Sequence, residues 1–197
     1  MAATDLSLTA VLIVAGSYLL GCLSTGYYLA RLRTGRDIRA LGSGSTGGAN
    51  VGRLLGKTGF AVTMAGDALK GALAVGVAAY FGLAPWLRAA VVLAVVAGHI
   101  FPAQLGFRGG KGLATALGAL LVLDYRLPLI ALPLVGLGWL LSRQMTFSLV
   151  GGVLLAPVLA LLLKHPPSVA VGLALVAALL LYAHRPNIRA AAARLRH

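Results

Sequence analysis

From end to end, this chain repeats one pattern: apolar runs long enough to approach or cross a bilayer, separated by short segments that hold nearly all of its charge. A lipid interior offers no water to the backbone. Each crossing segment must satisfy its own N–H and C=O groups, which a run of about 20 apolar residues does only as a helix. Composition agrees: 59% of the 197 residues are hydrophobic and 11% are charged, with a mean hydropathy of +0.93. Glutamate is absent, and the four acidic residues are Asp5, Asp37, Asp67 and Asp124. So few charges cannot clothe a soluble domain of this size. The expected fold class is an all-α polytopic membrane helix bundle, with residues 1–197 as a single domain.

Seven transmembrane spans are predicted, near Leu6–Ala30, Gly59–Phe81, Trp86–Leu105, Gly112–Leu123, Leu127–Leu141, Thr146–Leu163 and Val169–Ala183. Asp124, Arg126 and Pro128 divide the fourth from the fifth, because charges and a proline cluster where the chain leaves the apolar core. The first run is not read as a removable signal. It is long, no basic residue precedes it, and six cations follow it in the next loop. Cys22 stands alone in that run, which excludes an internal disulfide.

Charge sets the orientation. With seven spans, one side receives 13 of the 17 Lys and Arg residues, Arg196 in the tail among them. The other side receives Arg88, Arg126 and Lys164, and Lys70 lies inside a span. Cytoplasmic loops carry the excess of cations, so the amino terminus is expected outside and the carboxyl terminus in the cytoplasm. Topology and anionic headgroups account for the net charge of +13 without a nucleic-acid partner.

Three polar segments fall on that basic face. The first is Gly42-Ser-Gly-Ser-Thr-Gly-Gly-Ala-Asn50-Val-Gly-Arg53. Gly42, Gly44, Gly47 and Gly48 allow tight turns and close approach to a ligand. Ser43, Ser45, Thr46 and Asn50 add polar partners, and Arg53 a planar fork suited to two phosphate oxygens. The second is Gly106-Phe-Arg-Gly109-Gly110-Lys111-Gly112. It resembles part of a P-loop, but a membrane span precedes it and glycine follows the lysine, so an NTPase is rejected. Backbone donors at Gly109 and Gly110, the Lys111 ammonium and a helix starting near Gly112 remain as anion-binding elements. The third is His184-Arg-Pro-Asn187, where the last span is expected to leave the membrane. The plain alternatives are a flexible loop, a positive-inside anchor and a snorkelling helix end. Within the second span, Asp67 and Lys70 share a helix face and can neutralise one another. His99, near the end of the third, is read as structural.

Together these segments resemble the bacterial acyl-phosphate-dependent glycerol-3-phosphate acyltransferases. The resemblance rests on Gly42-Ser-Gly with Asn50-Val-x-Arg53, Asp67-x-x-Lys70-Gly, Gly98-His-x-x-Pro with Gly-Gly-Lys111-Gly-x-Ala-Thr115, and His184-Arg-x-Asn187, in that order. It implies a multi-pass protein of the bacterial plasma or inner membrane, with its active face cytoplasmic. It also implies acyl transfer from acyl phosphate to the 1-hydroxyl of glycerol 3-phosphate. The products would be 1-acylglycerol 3-phosphate (lysophosphatidic acid) and phosphate, in phospholipid biosynthesis. Acyl phosphate, glycerol 3-phosphate and membrane lipid are the implied partners. Family substrate-binding roles carry over to Ser43, Arg53, Lys111, His184 and Asn187. Four positions depart from the family pattern. Ser45 stands for the usual Asn, Ala49 for Thr, and Cys22 for a small hydroxyl residue. In a serine-rich motif after the fifth span, Thr146 and Ser148 remain as candidate contacts while Leu149 replaces serine.

The expected chemistry is direct. Lys111, Arg53 and loop amides position two phosphates, the substrate hydroxyl attacks, and its proton passes to the departing phosphate or to His184. No Ser-His-Asp order stands out in the loops. No His/Cys/Asp cluster has ligand spacing, so neither a metal nor a cofactor is expected. Two other classes remain open: a transporter or channel for a phosphorylated anionic metabolite, and a non-catalytic lipid-binding relative. Polar motifs gathered on one face favour an enzyme that joins an aqueous and a lipid-soluble substrate.

Overall fold

The computed structural model describes residues 7–194 and is all-helical among them. Leu6, at the predicted start of the first span, Asp5 and Arg196 lie outside the described residues. In chain order the helices are α1 (Leu8–Cys22), α2 (Thr25–Thr34), α3 (Gly48–Tyr80), α4 (Pro85–Ile100), α5 (Leu113–Asp124), α6 (Arg126–Ser142), α7 (Met145–Leu162) and α8 (Pro167–Arg194). Short 3-10 turns occupy Ile38–Ala40 and Ala103–Leu105.

The apolar runs fold where expected, with revised ends. Among the described residues, five helical stretches are long and apolar enough to cross a membrane. The fourth and fifth predicted spans form α5 and α6, of 12 and 17 residues. At 1.5 Å per residue α5 extends about 18 Å, well short of a 30 Å hydrocarbon core. The first predicted span is interrupted. Helix stops at Cys22 and restarts at Thr25, with Leu23 and Ser24 between. The second begins earlier than Gly59, because the first loop's own second half is helical from Gly48. Gly56 breaks that helix (φ 71°, ψ −165°), a conformation open to glycine. The last span continues past Ala183 through Pro186 to Arg194, so the third polar segment sits on a helix rather than beyond one.

α4 is the central post. Val91, Val92, Val95 and Val96 are fully buried, and α1, α3, α5 and α8 all pack on this helix. Small residues let backbones touch where lipid supplies no hydrophobic drive between helices. A Cβ at Gly21 would strike the Val95 carbonyl, and one at Gly98 the Tyr18 carbonyl, so α1 and α4 cross backbone to backbone. Gly71 and Gly118 do the same for α3 and α5, against Thr115 and Ala68. The α6–α7 hairpin is held differently. Its buried residues are Leu127 and Pro128 where α6 begins, and Leu159 and Ala160 where α7 ends. There Asp124 accepts from Arg126 and pairs with His165 at 2.8 Å, tying the α5–α6 and α7–α8 turns together. Away from that anchored end the two helices leave space between themselves, α5 and α8, and this space is the cavity described next.

Candidate active site

A cavity of about 620 Å³ opens where the three polar segments converge. Its polar end is lined by Ser43, Ser45, Gly47, Asn50, Lys111, Thr146, His184 and Asn187. Its apolar depth runs between α5, α6, α7 and α8, past Leu117, Leu120, Val135, Leu149 and Val153 to Leu127 and Pro128.

The first loop is built around Asn50. Its Oδ1 accepts the Ser43 N–H at 3.0 Å, while its Nδ2 donates to the carbonyls of Ile38, Leu41 and Ser45 at 3.2, 2.9 and 2.9 Å. With both polar atoms engaged and the residue buried, Asn50 holds the loop; the expected substrate contact is corrected to a clamp. Gly42 and Gly44 adopt φ of 54° and 69°, and a Cβ on Gly42 would run into Asn50. They shape the loop and do not line the cavity. Gly47 caps α3, with its N–H on Ser45 Oγ at 3.2 Å. The next N–H groups, of Gly48 and Ala49, head α3 without intrahelical partners and border the cavity.

The second loop is tied to α4. The Gly109 and Gly110 N–H groups donate to the Ile100 and His99 carbonyls at 3.0 and 3.1 Å. They are therefore spent, and the expectation that they cradle an anion is corrected. The open donors lie one step on, in the first turn of α5, whose Leu113 and Ala114 border the cavity. Gly112 makes that entry at φ 85°. The Thr46 N–H reaches the Gly109 carbonyl at 3.4 Å and joins the two loops. Two helix N-termini thus face one cavity, each contributing partial positive charge and free N–H groups.

Lys111 stands between them. Its Nζ donates to Asn187 Oδ1 at 2.6 Å, which brings the second and third segments into contact. Burial pushes its pKa below the ordinary lysine value, and the nearby Arg53 cation pushes the same way. Arg53 is exposed, lies outside the residues that border the cavity, and forms no ion pair among the described residues. Like charges that repel one another favour an anion near them. By contrast, Arg39 is neutralised by Asp37 at 2.7 Å and also donates to the Leu105 carbonyl. His184 Nδ1 lies 2.8 Å from the Leu180 carbonyl. A carbonyl only accepts, so Nδ1 carries the proton and neutral His184 keeps a free lone pair on Nε2.

The α7 candidates divide. Thr146 lines the cavity, whereas Ser148 turns its hydroxyl back to the Gln144 carbonyl at 3.1 Å and packs against Gly138 of α6. Ser148 is therefore corrected to a helix-packing residue. Ala49 was missed in the sequence, and Gly48 was read there as a turn glycine rather than a helix start, whereas the helix start near Gly112 was expected. The signal for the first two was Val51, Leu54 and Leu55 recurring at helical spacing just after them.

Known proteins similar to this chain are glycerol-3-phosphate acyltransferases. The family model described as glycerol-3-phosphate acyltransferase matches residues 11–194. Glycerol-3-phosphate acyltransferase 1 of Desulfitobacterium hafniense is 46% identical over 189 residues, covering 96% of this chain and 94% of that protein. Glycerol-3-phosphate acyltransferase 1 of Deinococcus radiodurans is 42% identical over 185 residues, covering 93% and 92%. The crystal structure of PlsY (YgiH), an integral membrane glycerol 3-phosphate acyltransferase, in its glycerol 3-phosphate form superposes with a TM-score of 0.85 at 33% identity. The match covers 92% of this chain and 90% of that one. Its lysophosphatidic acid form gives 0.82 at 31% identity, with the same coverage. This all-helical membrane chain therefore belongs to the glycerol-3-phosphate acyltransferase family.

Proposed function

We propose that the protein transfers an acyl group from acyl phosphate to the 1-hydroxyl of glycerol 3-phosphate. The observation that carries this reading is the two-part cavity: one end offers the Lys111 ammonium and two helix N-termini to phosphate, and the other is apolar and sized for a lipid chain. The relatives' acyltransferase names and the glycerol 3-phosphate and lysophosphatidic acid forms of PlsY support the same acceptor and product. In the reaction the hydroxyl oxygen attacks the acyl carbonyl carbon, the bond from that carbon to the phosphate oxygen breaks, and phosphate departs. Lys111, Arg53 and the N-termini of α3 and α5 hold the phosphates and oppose their growing charge. The hydroxyl proton goes to the leaving phosphate or to His184 Nε2. Ser43, Ser45, Thr146 and Asn187 complete the polar end as substrate contacts.

In this reading the single domain crosses the membrane seven times, with α5 and α6 counted as short crossings. The amino terminus is outside and the active face cytoplasmic, in a bacterial plasma or inner membrane. The excess of cations on the loop face supports that orientation. The test supplies purified protein with glycerol 3-phosphate and either acyl phosphate or acyl-CoA, in EDTA. Phosphate release and lysophosphatidic acid are measured. Product with acyl phosphate alone is expected; product only with acyl-CoA overturns the donor, and loss in EDTA overturns metal independence.

A further inference from the structure

Beneath the two glycine loops lies a band of buried polar side chains that the chemistry above does not use. Thr63, Asp67 and Lys70 fall on one face of α3 and are all buried. Ionisable groups inside a membrane bundle persist where they pair or serve function. Lys70 is the centre of this band. Its Nζ donates to the carbonyls of Gly21 and Leu23 at 3.0 and 2.8 Å. It also lies 2.9 Å from His99 Nδ1 and 3.0 Å from Asp67 Oδ1. The two carbonyls belong to the end of α1, which the helix itself leaves unpaired, so Lys70 caps α1 where the chain breaks towards α2. An ammonium only donates, so His99 Nδ1 accepts from it.

His99 carries that position to the second loop. Its carbonyl takes the Gly110 N–H at 3.1 Å, and its ring is the floor under Gly110, where a Cβ would collide with the imidazole. Lys111 is the next residue. The neighbouring Gly109 carbonyl accepts from Thr46, and Thr46 Oγ1 meets Ser24 Oγ at 3.3 Å, at the same chain break that Lys70 grips. A closed circuit therefore runs from Lys70 through His99, the Gly109–Lys111 backbone, Thr46 and Ser24, and back to Leu23.

We propose that Lys70, neutralised by Asp67, is a positioning residue for acyl transfer. Through His99 it fixes the height of the Gly109–Lys111 backbone, so that the Lys111 ammonium and the α5 N-terminus meet the phosphate in register with the first loop. Lys70 itself touches no substrate. This rests on the reading of Lys111 as a phosphate ligand.

A double-mutant cycle tests it. Asp67→Asn/Lys70→Met removes both charges together and so leaves no uncompensated ion in the core. That pair is measured in the intact enzyme and in Lys111→Ala, as kcat and as glycerol 3-phosphate affinity by calorimetry. Residues that act as one unit are non-additive. In the intact enzyme the pair should lower kcat by about tenfold or more, with KM for acyl phosphate changed by less than about twofold. In the Lys111→Ala background the further loss should stay under about twofold. A merely structural hub would cost the same factor in both backgrounds, and that result overturns the proposal, as does normal kcat in the folded pair variant. Where the pair variant does not fold, His99→Asn, which keeps Asp67 and Lys70, enters the same cycle. Where Lys111→Ala turnover falls below detection, the affinities read the cycle instead. Full activity in Lys111→Ala alone would overturn both this role and the phosphate-site reading; additive losses would overturn only the role of Lys70.

Discussion

Replacing Lys111 with alanine perturbs the point at which the three polar segments meet. The residue is half-buried, so its removal opens no core. In the free protein it forfeits one charge-assisted bond, to Asn187, whose other partner is exposed and can turn to water. Stability should therefore fall by about 1 kcal/mol or less. In the reacting complex the loss is larger, because a preorganised cation between two helix N-termini opposes charge that grows on the departing phosphate. Removing one such donor from an enclosed site costs about 2.7–4 kcal/mol of transition-state stabilisation, two to three orders of magnitude in kcat. Lys111→Arg should recover little, since Gly110 is pinned on His99 and Gly112 turns sharply, leaving no room to re-aim a longer fork. The same geometry sets a pH signature. Burial and Arg53 hold the Lys111 pKa below the ordinary value. Activity that needs the charged form is full below the folded pKa and declines as pH rises through it. Arg53→Gln removes the repelling cation, so the alkaline limb of its residual activity should move to higher pH. The assay follows phosphate release and lysophosphatidic acid from detergent-purified protein, with thermal melting to confirm folding. Unchanged turnover in folded Lys111→Ala refutes the phosphate-site assignment, and an unmoved alkaline limb in Arg53→Gln refutes the coupling.

Arg53→Lys keeps the charge but loses the planar two-point fork, and should raise KM for a phosphate substrate by about tenfold; wild-type kinetics would remove Arg53 from the site. Gly110→Val should lower stability by about 1–3 kcal/mol and abolish turnover, because the new side chain enters the His99 ring. A folded variant with a normal melting temperature would mean that this contact is not tight. Asn50→Asp exchanges a donor to three carbonyls for a carboxylate facing them. It should cost about 2–4 kcal/mol by thermal melting, and an unshifted melt would mean that Asn50 does not clamp the loop.

The sequence by itself determined the solvent and therefore the class of fold. Apolar runs of near-bilayer length leave only helices, because unpaired backbone groups are too costly in lipid. It also marked the segments where the chemistry lies, as glycine-rich polar stretches with cations gathered on one face. Lys111, Arg53, His184 and Asn187 could be named from it together with the family pattern. Tertiary structure decided which polar atoms are free. Asn50, Ser148, Gly109 and Gly110 carry the residue types of a binding site, yet their hydrogen bonds are spent on loop carbonyls, a helix turn and the end of α4. These bonds span only 4 to 12 residues of chain, but they depend on how each loop or helix turn folds back on itself, which residue type alone does not reveal. The split of the first span at Leu23 has a longer-range origin: an apolar run has no reason to break there until Lys70, 47 residues on, takes up the carbonyls that the break exposes. The cavity too belongs to packing alone. Leucines and valines facing lipid and those lining the acyl pocket are chemically alike, and only the placement of the α6–α7 hairpin, held at one end by Leu127, Leu159 and the Asp124–His165 pair, separates them.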